Sequence, residues 1–231
     1  MSNQIAQLEI EAKNALSILK YIIGYPQDSL LALSENLSSF DNDLISLENF
    51  QVSVENLIDY QIVDQNRALS QLSAKLGGTA ANYQRMGIWG NHSPTMFPDF
   101  FHAQKDGTPV TDLASESWFK DDFLKTVSTR GKAIITARGQ SSAASAASAA
   151  LDHMSSWWHG TAEGDFVSMG IPSDGSYGIP ENLIFSFPVT IKDGVYSIVQ
   201  GIEHNAFAQA KIAATTEELQ GERAAVADLL G

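Results

Sequence analysis

The chain has 231 residues and a formal net charge of −13 at pH 7, which is length enough for one sizeable core or for a domain with an appendage. So acidic a balance argues against nucleic acid or an anionic membrane as partner, because both demand basic patches. With no cysteine there is neither a disulfide nor a thiolate metal site.

No apolar run approaches the length of about 18 residues that a membrane-spanning helix needs. The opening Met-Ser-Asn-Gln has neither the basic start nor the apolar stretch of a secretory leader, so a cytoplasmic protein is expected. Residues 3–23 place Ile5, Leu8, Ala12, Leu16, Leu19 and Ile23 at helical spacing, and Gly24 and Pro26 stop the pattern. A second helix is expected over 28–37 with Asp28 as its cap, followed by a turn over 38–43. Residues 43–57 are apolar at Leu44, Ile45, Leu47 and Phe50, which leaves helix, or helix giving way to strand, open. The first 60 residues carry nine acidic and two basic side chains. They read either as a helical cap packed on the domain behind them, or as a docking device for a partner or a second copy.

From there the chain becomes more legible. Residues 65–76 form a helix with Ala68, Leu69, Leu72 and Leu76 inward, ended by Gly77-Gly78. Asp64 and Arg67 lie one turn apart and can point into one cleft. Residues 85–89 read as a short apolar strand that delivers His92 on the turn after it. Residues 94–111 read as loop, with an Asp106-Gly107 turn that flanks a small hairpin. The longest helix is expected over 112–138, with a stripe of Trp118, Phe119, Phe123, Val127 and Ile134 and a bend at Gly131. Another helix follows over 141–158, opened by Ser141 or Ser142 and closed by Gly160; its Ala-Ser repeat suits close packing. Strands are expected over 165–171, over 182–191 with a bulged or edge-like interruption at Pro188, and over 195–201 after an Asp193-Gly194 turn. The last helix, 206–230, packs Ile212, Leu219, Val226 and Leu230 and turns Glu217, Glu218 and Glu222 to solvent.

A histidine, a carboxylate and an arginine can make one site. An arginine forks onto a carboxylate through two parallel hydrogen bonds, an imidazole exchanges protons near neutrality, and an aspartate on the far ring nitrogen fixes the tautomer. Taken alone, Asp64 reads as readily as a helix N-cap and His92 as a structural loop residue. His102, His153, His159 and His204 have no carboxylate or cysteine at metal-ligand spacing, so no metal site is expected.

Asp64-Gln-Asn-Arg67-Ala-Leu-Ser-Gln and Ile88-Trp-Gly-Asn-His92-Ser-Pro-Thr-Met together resemble the catalytic domain of the malate dehydrogenases of cytosolic type. The likeness resumes at Arg138-Gly-Gln-Ser-Ser-Ala-Ala, Glu163-Gly-Asp-Phe-Val-Ser-Met-Gly and Pro172-Ser-Asp-Gly-Ser-Tyr-Gly, and covers residues 55–231. The resemblance implies an α+β domain of long helices on antiparallel strands. It also implies that His92 is the acid–base residue, Asp64 its orienting partner and Arg67 the clamp on the carboxylate beside the reacting carbon. Ser142 would hydrogen-bond the distal carboxylate or the carbonyl. Ile62 and Val63 stand where the family usually has arginine and leucine, and Gln65 where histidine is common. Family members are dimers, and they move a hydride between malate and a nicotinamide held by a glycine-rich turn in an N-terminal half.

Residues 1–54 contain one glycine, Gly24, so that turn cannot be there. The expectation is a helical segment over 1–54 in place of the nucleotide-binding half, and a catalytic domain over 55–231. No cofactor is expected to bind, and NAD would enter only if another chain supplied its domain. The chain is then expected not to be a dehydrogenase by itself, but a structural or oligomerising subunit that meets a second copy or a protein partner through residues 1–54. The alternative is one part of a split malate dehydrogenase with a small dicarboxylate as its ligand.

Overall fold

The computed structural model describes residues 59–139 and 143–227. The expectations for residues 1–54, the open choice over 43–57, and the cap at Ser141 or Ser142 lie outside the described residues.

Helix α1 spans Asp59–Leu76, six residues longer at its start than the apolar spacing suggested, so Asp64 sits inside the helix and is not its N-cap. Ala68 and Leu72 are fully buried, and Gly77, in the left-handed region at φ 77°, closes the helix by donating to the Ser73 carbonyl. Short strands β1 (Tyr83–Gln84) and β2 (Gly87–Trp89) come next. The stretch read as loop contains three more: β3 (Phe97–Asp99), paired antiparallel with β2, and the hairpin β4 (Gln104–Lys105) and β5 (Thr108–Pro109) around Asp106-Gly107. Strands this short leave too few alternating positions for a period to show in the sequence.

The long helix starts later than expected, because the Ser115 hydroxyl takes the backbone N–H of Trp118. A π-helical turn, Trp118–Phe123, leads into α2, Leu124–Arg138. The turn carries Phe119 and Phe123 to full burial, and Phe119 stacks on Phe100 with centroids 4.6 Å apart. A buried Phe contributes roughly 1.5–3 kcal/mol, which outweighs the poorer hydrogen-bond geometry of a π turn. Helix α3, Ala143–His159, is closed by Gly160 at φ 79°.

Strands β6 (Val167–Pro172), β7 (Ile184–Lys192) and β8 (Val195–Ile198) form an antiparallel sheet in the order β6-β7-β8. Pro188 therefore lies in the central strand, contrary to the edge-like expectation. It is tolerated because its carbonyl accepts from Val199 just past the end of β8, where the missing N–H would have faced the Val199 carbonyl. That carbonyl takes the Tyr177 hydroxyl instead. Helix α4, Ala206–Ala225, is capped by the Asn205 side chain, which accepts from Ala208 N at 2.9 Å. The architecture is α+β, as the resemblance implied, and the core gathers Trp89, Phe97, Phe100, Phe185 and Phe187 between helices and sheets. No helix among the described residues is long and apolar enough to cross a membrane.

Candidate active site

Asp64 is completely buried, and a carboxylate taken out of water costs several kcal/mol unless it is paired. Its two oxygens each have a partner. Oδ1 accepts from Arg67 Nη1 at 2.7 Å, and Oδ2 lies 2.6 Å from His92 Nδ1. The structure thus brings together three of the four residues that the sequence singled out; Ser142 lies outside the described residues. Because an ionised carboxylate only accepts, an imidazole facing it carries a proton on Nδ1. The guanidinium and the imidazole are thus held by the two oxygens of one group.

What holds His92 is less local than the motif suggests. Gly90, at φ 96°, bridges to Ser186 of β7, and a Cβ there would sit 2.1 Å from Thr215 Cγ2, so only glycine fits. Asn91 N donates to Thr215 Oγ1 at 2.9 Å, and Asn91 Nδ2 donates to Glu222 at 2.9 Å. The hydroxyls of Ser93 and Thr95 both donate to Glu218 Oε2. Glu218, expected to face solvent, is half-buried and anchors the His92 turn; Glu217 and Glu222 are exposed as expected, and Glu222 reaches the turn only through Asn91. Nothing local to α4 signals this, since the two segments lie 125 residues apart at the Ser93–Glu218 contact.

Gly131, where a bend was expected, also bears on Arg67. It lies within α2 against Arg67, and a Cβ at that position would come within 3.2 Å of Arg67 Nη2. The gap lets the guanidinium lie across the helix. Ile62 and Val63, the departures beside Asp64, are buried and cluster with Ala149 of α3. Gln65 accepts from Ser168 N at 2.8 Å and so satisfies the outer edge of β6.

Two depressions flank Asp64. One, of about 400 Å³, is lined by Arg67, Arg130, Asn66, Ser145 and Ser148; the other, of about 410 Å³, is lined by His92, Gln61, Asn91, Ser93 and Glu222. Two guanidinium groups beside serines and an asparagine make the first one suited to an anion.

The family model for the lactate/malate dehydrogenase alpha/beta C-terminal domain matches residues 62–229. The chain belongs to the lactate/malate dehydrogenase family. Among relatives of this dehydrogenase domain, a malate dehydrogenase of Cutibacterium acnes is 54% identical over 167 residues, 72% of this chain and 51% of that protein. The chain thus spans about half the length of the relative it matches. The crystal structure of malate dehydrogenase from Naegleria fowleri superposes with a TM-score of 0.67 at 40% identity, over 73% of this chain and 52% of that one. Trichomonas vaginalis lactate dehydrogenase, solved in complex with NADH and oxamate, gives a TM-score of 0.68 at 32% identity, over 73% of this chain and 53% of that one.

Proposed function

We propose that the described domain is the substrate-binding and proton-transferring part of a malate dehydrogenase-type reaction, and that it is not a dehydrogenase by itself. The observation that supports this most is the buried Asp64 with Arg67 and His92 on its two oxygens. A domain kept only as a scaffold has no need of a buried carboxylate held in this way, since apolar replacements of the same volume cost nothing and often stabilise. Arg67 would take the carboxylate beside the reacting carbon through its fork. His92 Nε2 would give a proton to the 2-oxo oxygen or take it from the 2-hydroxyl, while Nδ1–H stays on Asp64 and keeps the ring oriented.

The described residues do not fit a nicotinamide nucleotide. Every strand pair among them is antiparallel, so they lack the parallel switch-point crevice in which such coenzymes lie. The coenzyme would have to be held by another part or another chain, and no hydride step is assigned to these residues.

A second reading, an interaction or oligomerising subunit, is favoured by exposed apolar side chains. Met154 and Trp158, one turn apart on α3, are 50% and 73% exposed, and Val195 of β8 is 66% exposed. The two readings are compatible if this face meets the missing partner.

Oxamate, the ligand named with the Trichomonas structure, is the probe for the first reading. In the purified chain it should shift the His92 ring resonances, and Arg67→Gln should abolish the shift. NADH and oxaloacetate should give no turnover. Resonances indifferent to millimolar oxamate would overturn the substrate site, and turnover that disappears in His92→Ala would overturn the need for another part.

A further inference from the structure

A second carboxylate–imidazole cluster lies away from Asp64. Asp99, at the end of β3, is 2% exposed, and its Oδ2 lies 2.7 Å from His102 Nδ1 and 3.9 Å from His204 Nδ1. The Trp89 indole donates to the same oxygen at 3.3 Å, and the Phe101 N–H donates to Oδ1 at 3.1 Å. His204 is the anomaly. Its side chain is 7% exposed, it packs edge-on against Trp89 at 4.6 Å, and neither of its ring nitrogens has a hydrogen-bond partner. A buried imidazole with both nitrogens unsatisfied calls for a ligand, because leaving such a group unpaired costs about 1–3 kcal/mol.

We propose that Asp99, His102 and His204 form a binding site for a divalent transition-metal ion of the zinc class. One ligand atom from each residue falls within a 4.8 Å spread. With bonds of about 2.0–2.1 Å, tetrahedral ligands sit about 3.4 Å apart. The pair at 2.7 Å would therefore open slightly and the pair at 3.9 Å would close, both by less than a rotamer change. Two imidazoles and a single carboxylate suit a borderline ion; calcium and magnesium want more oxygens. The surroundings also fit. Phe101 N–H and the Trp89 indole orient the carboxylate, as outer-shell groups do for a metal-ligating side chain. Burial favours the neutral form of His204, which is the form that ligates. Three protein ligands leave a fourth position for water, and His204 also lines a cavity of about 620 Å³ that gives an ion access.

The test uses Co²⁺ as an optical probe and Zn²⁺ as its competitor, with the full chain. Stoichiometric Co²⁺ should give the visible bands of a four- or five-coordinate site, and Zn²⁺ should erase them. His204→Asn and His102→Gln should each weaken binding by about a hundredfold or more, at least what losing an outer-shell partner costs, while His92→Asn leaves it unchanged. X-ray absorption of the Zn²⁺-loaded wild-type chain needs no variant, and should count two imidazole nitrogens. Weak hexaaqua-like bands in the wild type, binding that persists in His204→Asn, or an absorption spectrum with fewer than two imidazoles would each overturn the site.

Discussion

The two buried aspartates make a natural pair. Asp64 and Asp99 are 0% and 2% exposed, and each holds an imidazole Nδ1 at nearly the same distance, 2.6 and 2.7 Å. They differ in the second partner. Asp64 has a guanidinium at 2.7 Å, which is charged at every working pH, whereas Asp99 has a second imidazole at 3.9 Å, which is not. The charge of Asp64 is thus balanced whether His92 is protonated or not, and the ring can gain and lose its proton without leaving a bare buried anion. Among the described residues, Asp99 has no guanidinium on its oxygens and is held by the imidazole of His102 and the N–H groups of Trp89 and Phe101. One cluster sets a fixed positive charge beside its carboxylate; the other sets a second imidazole there.

Removing each carboxylate should separate them most sharply. Asp64→Asn leaves a guanidinium facing an amide and should cost about 3 kcal/mol, the low end for a broken buried pair because Arg67 and His92 both reach solvent. That loss should be read from urea midpoints. Asp99→Asn should cost about 1.5–3 kcal/mol, the range of a hydrogen bond to a charged group, at pH 6. The cost should shrink toward pH 8 as His102 loses its proton, and a cost unchanged between pH 6 and pH 8 would break the comparison.

The histidines of the second cluster should pull in opposite directions. The hydrogen bond to Asp99 raises the pKa of His102, so its stabilisation is complete below its unfolded value of about 6.5 and fades as pH rises through the folded value. Burial, the main cause, lowers that of His204, so its contribution is complete above about 6.5 and is lost as pH falls through the folded value. His102→Asn should therefore flatten the alkaline side of the stability profile, and His204→Asn the acid side; chemical denaturation across pH 5–8 checks both. The smallest effect is expected at Gly131→Ala. Alanine favours a helix over glycine by about 1 kcal/mol, yet its Cβ crowds Arg67 Nη2. Thermal stability should hold or rise while oxamate binding weakens, and unchanged binding would mean that the gap at Gly131 is not there for Arg67.

The Asp64–Arg67–His92 cluster was legible because two of its members share a helix face and the third sits in a motif shared with a known family. Helices α1 and α3 and the Asp193-Gly194 hairpin were legible through period and turn chemistry, which are local. The remainder depends on contacts far apart in the chain. Glu218 reads as one more solvated acid on an amphipathic helix until the His92 turn is placed against it. His204 reads as a lone histidine, and the expectation that it lacks a carboxylate at ligand spacing overlooked Asp99, which the fold rather than the spacing brings to it. Pro188 reads as an edge residue because a sequence does not show that β8 stops one residue short of it.

Helix α4 has a further consequence. His204 stands just before its first turn and Glu218 holds the His92 turn farther along, a separation of about 18 Å at the helical rise of about 1.5 Å per residue. One uninterrupted rod joins the two aspartate clusters. Should occupancy at one end bias the helix, occupancy at the other would be biased by the same factor, because coupling between two binding equilibria is reciprocal.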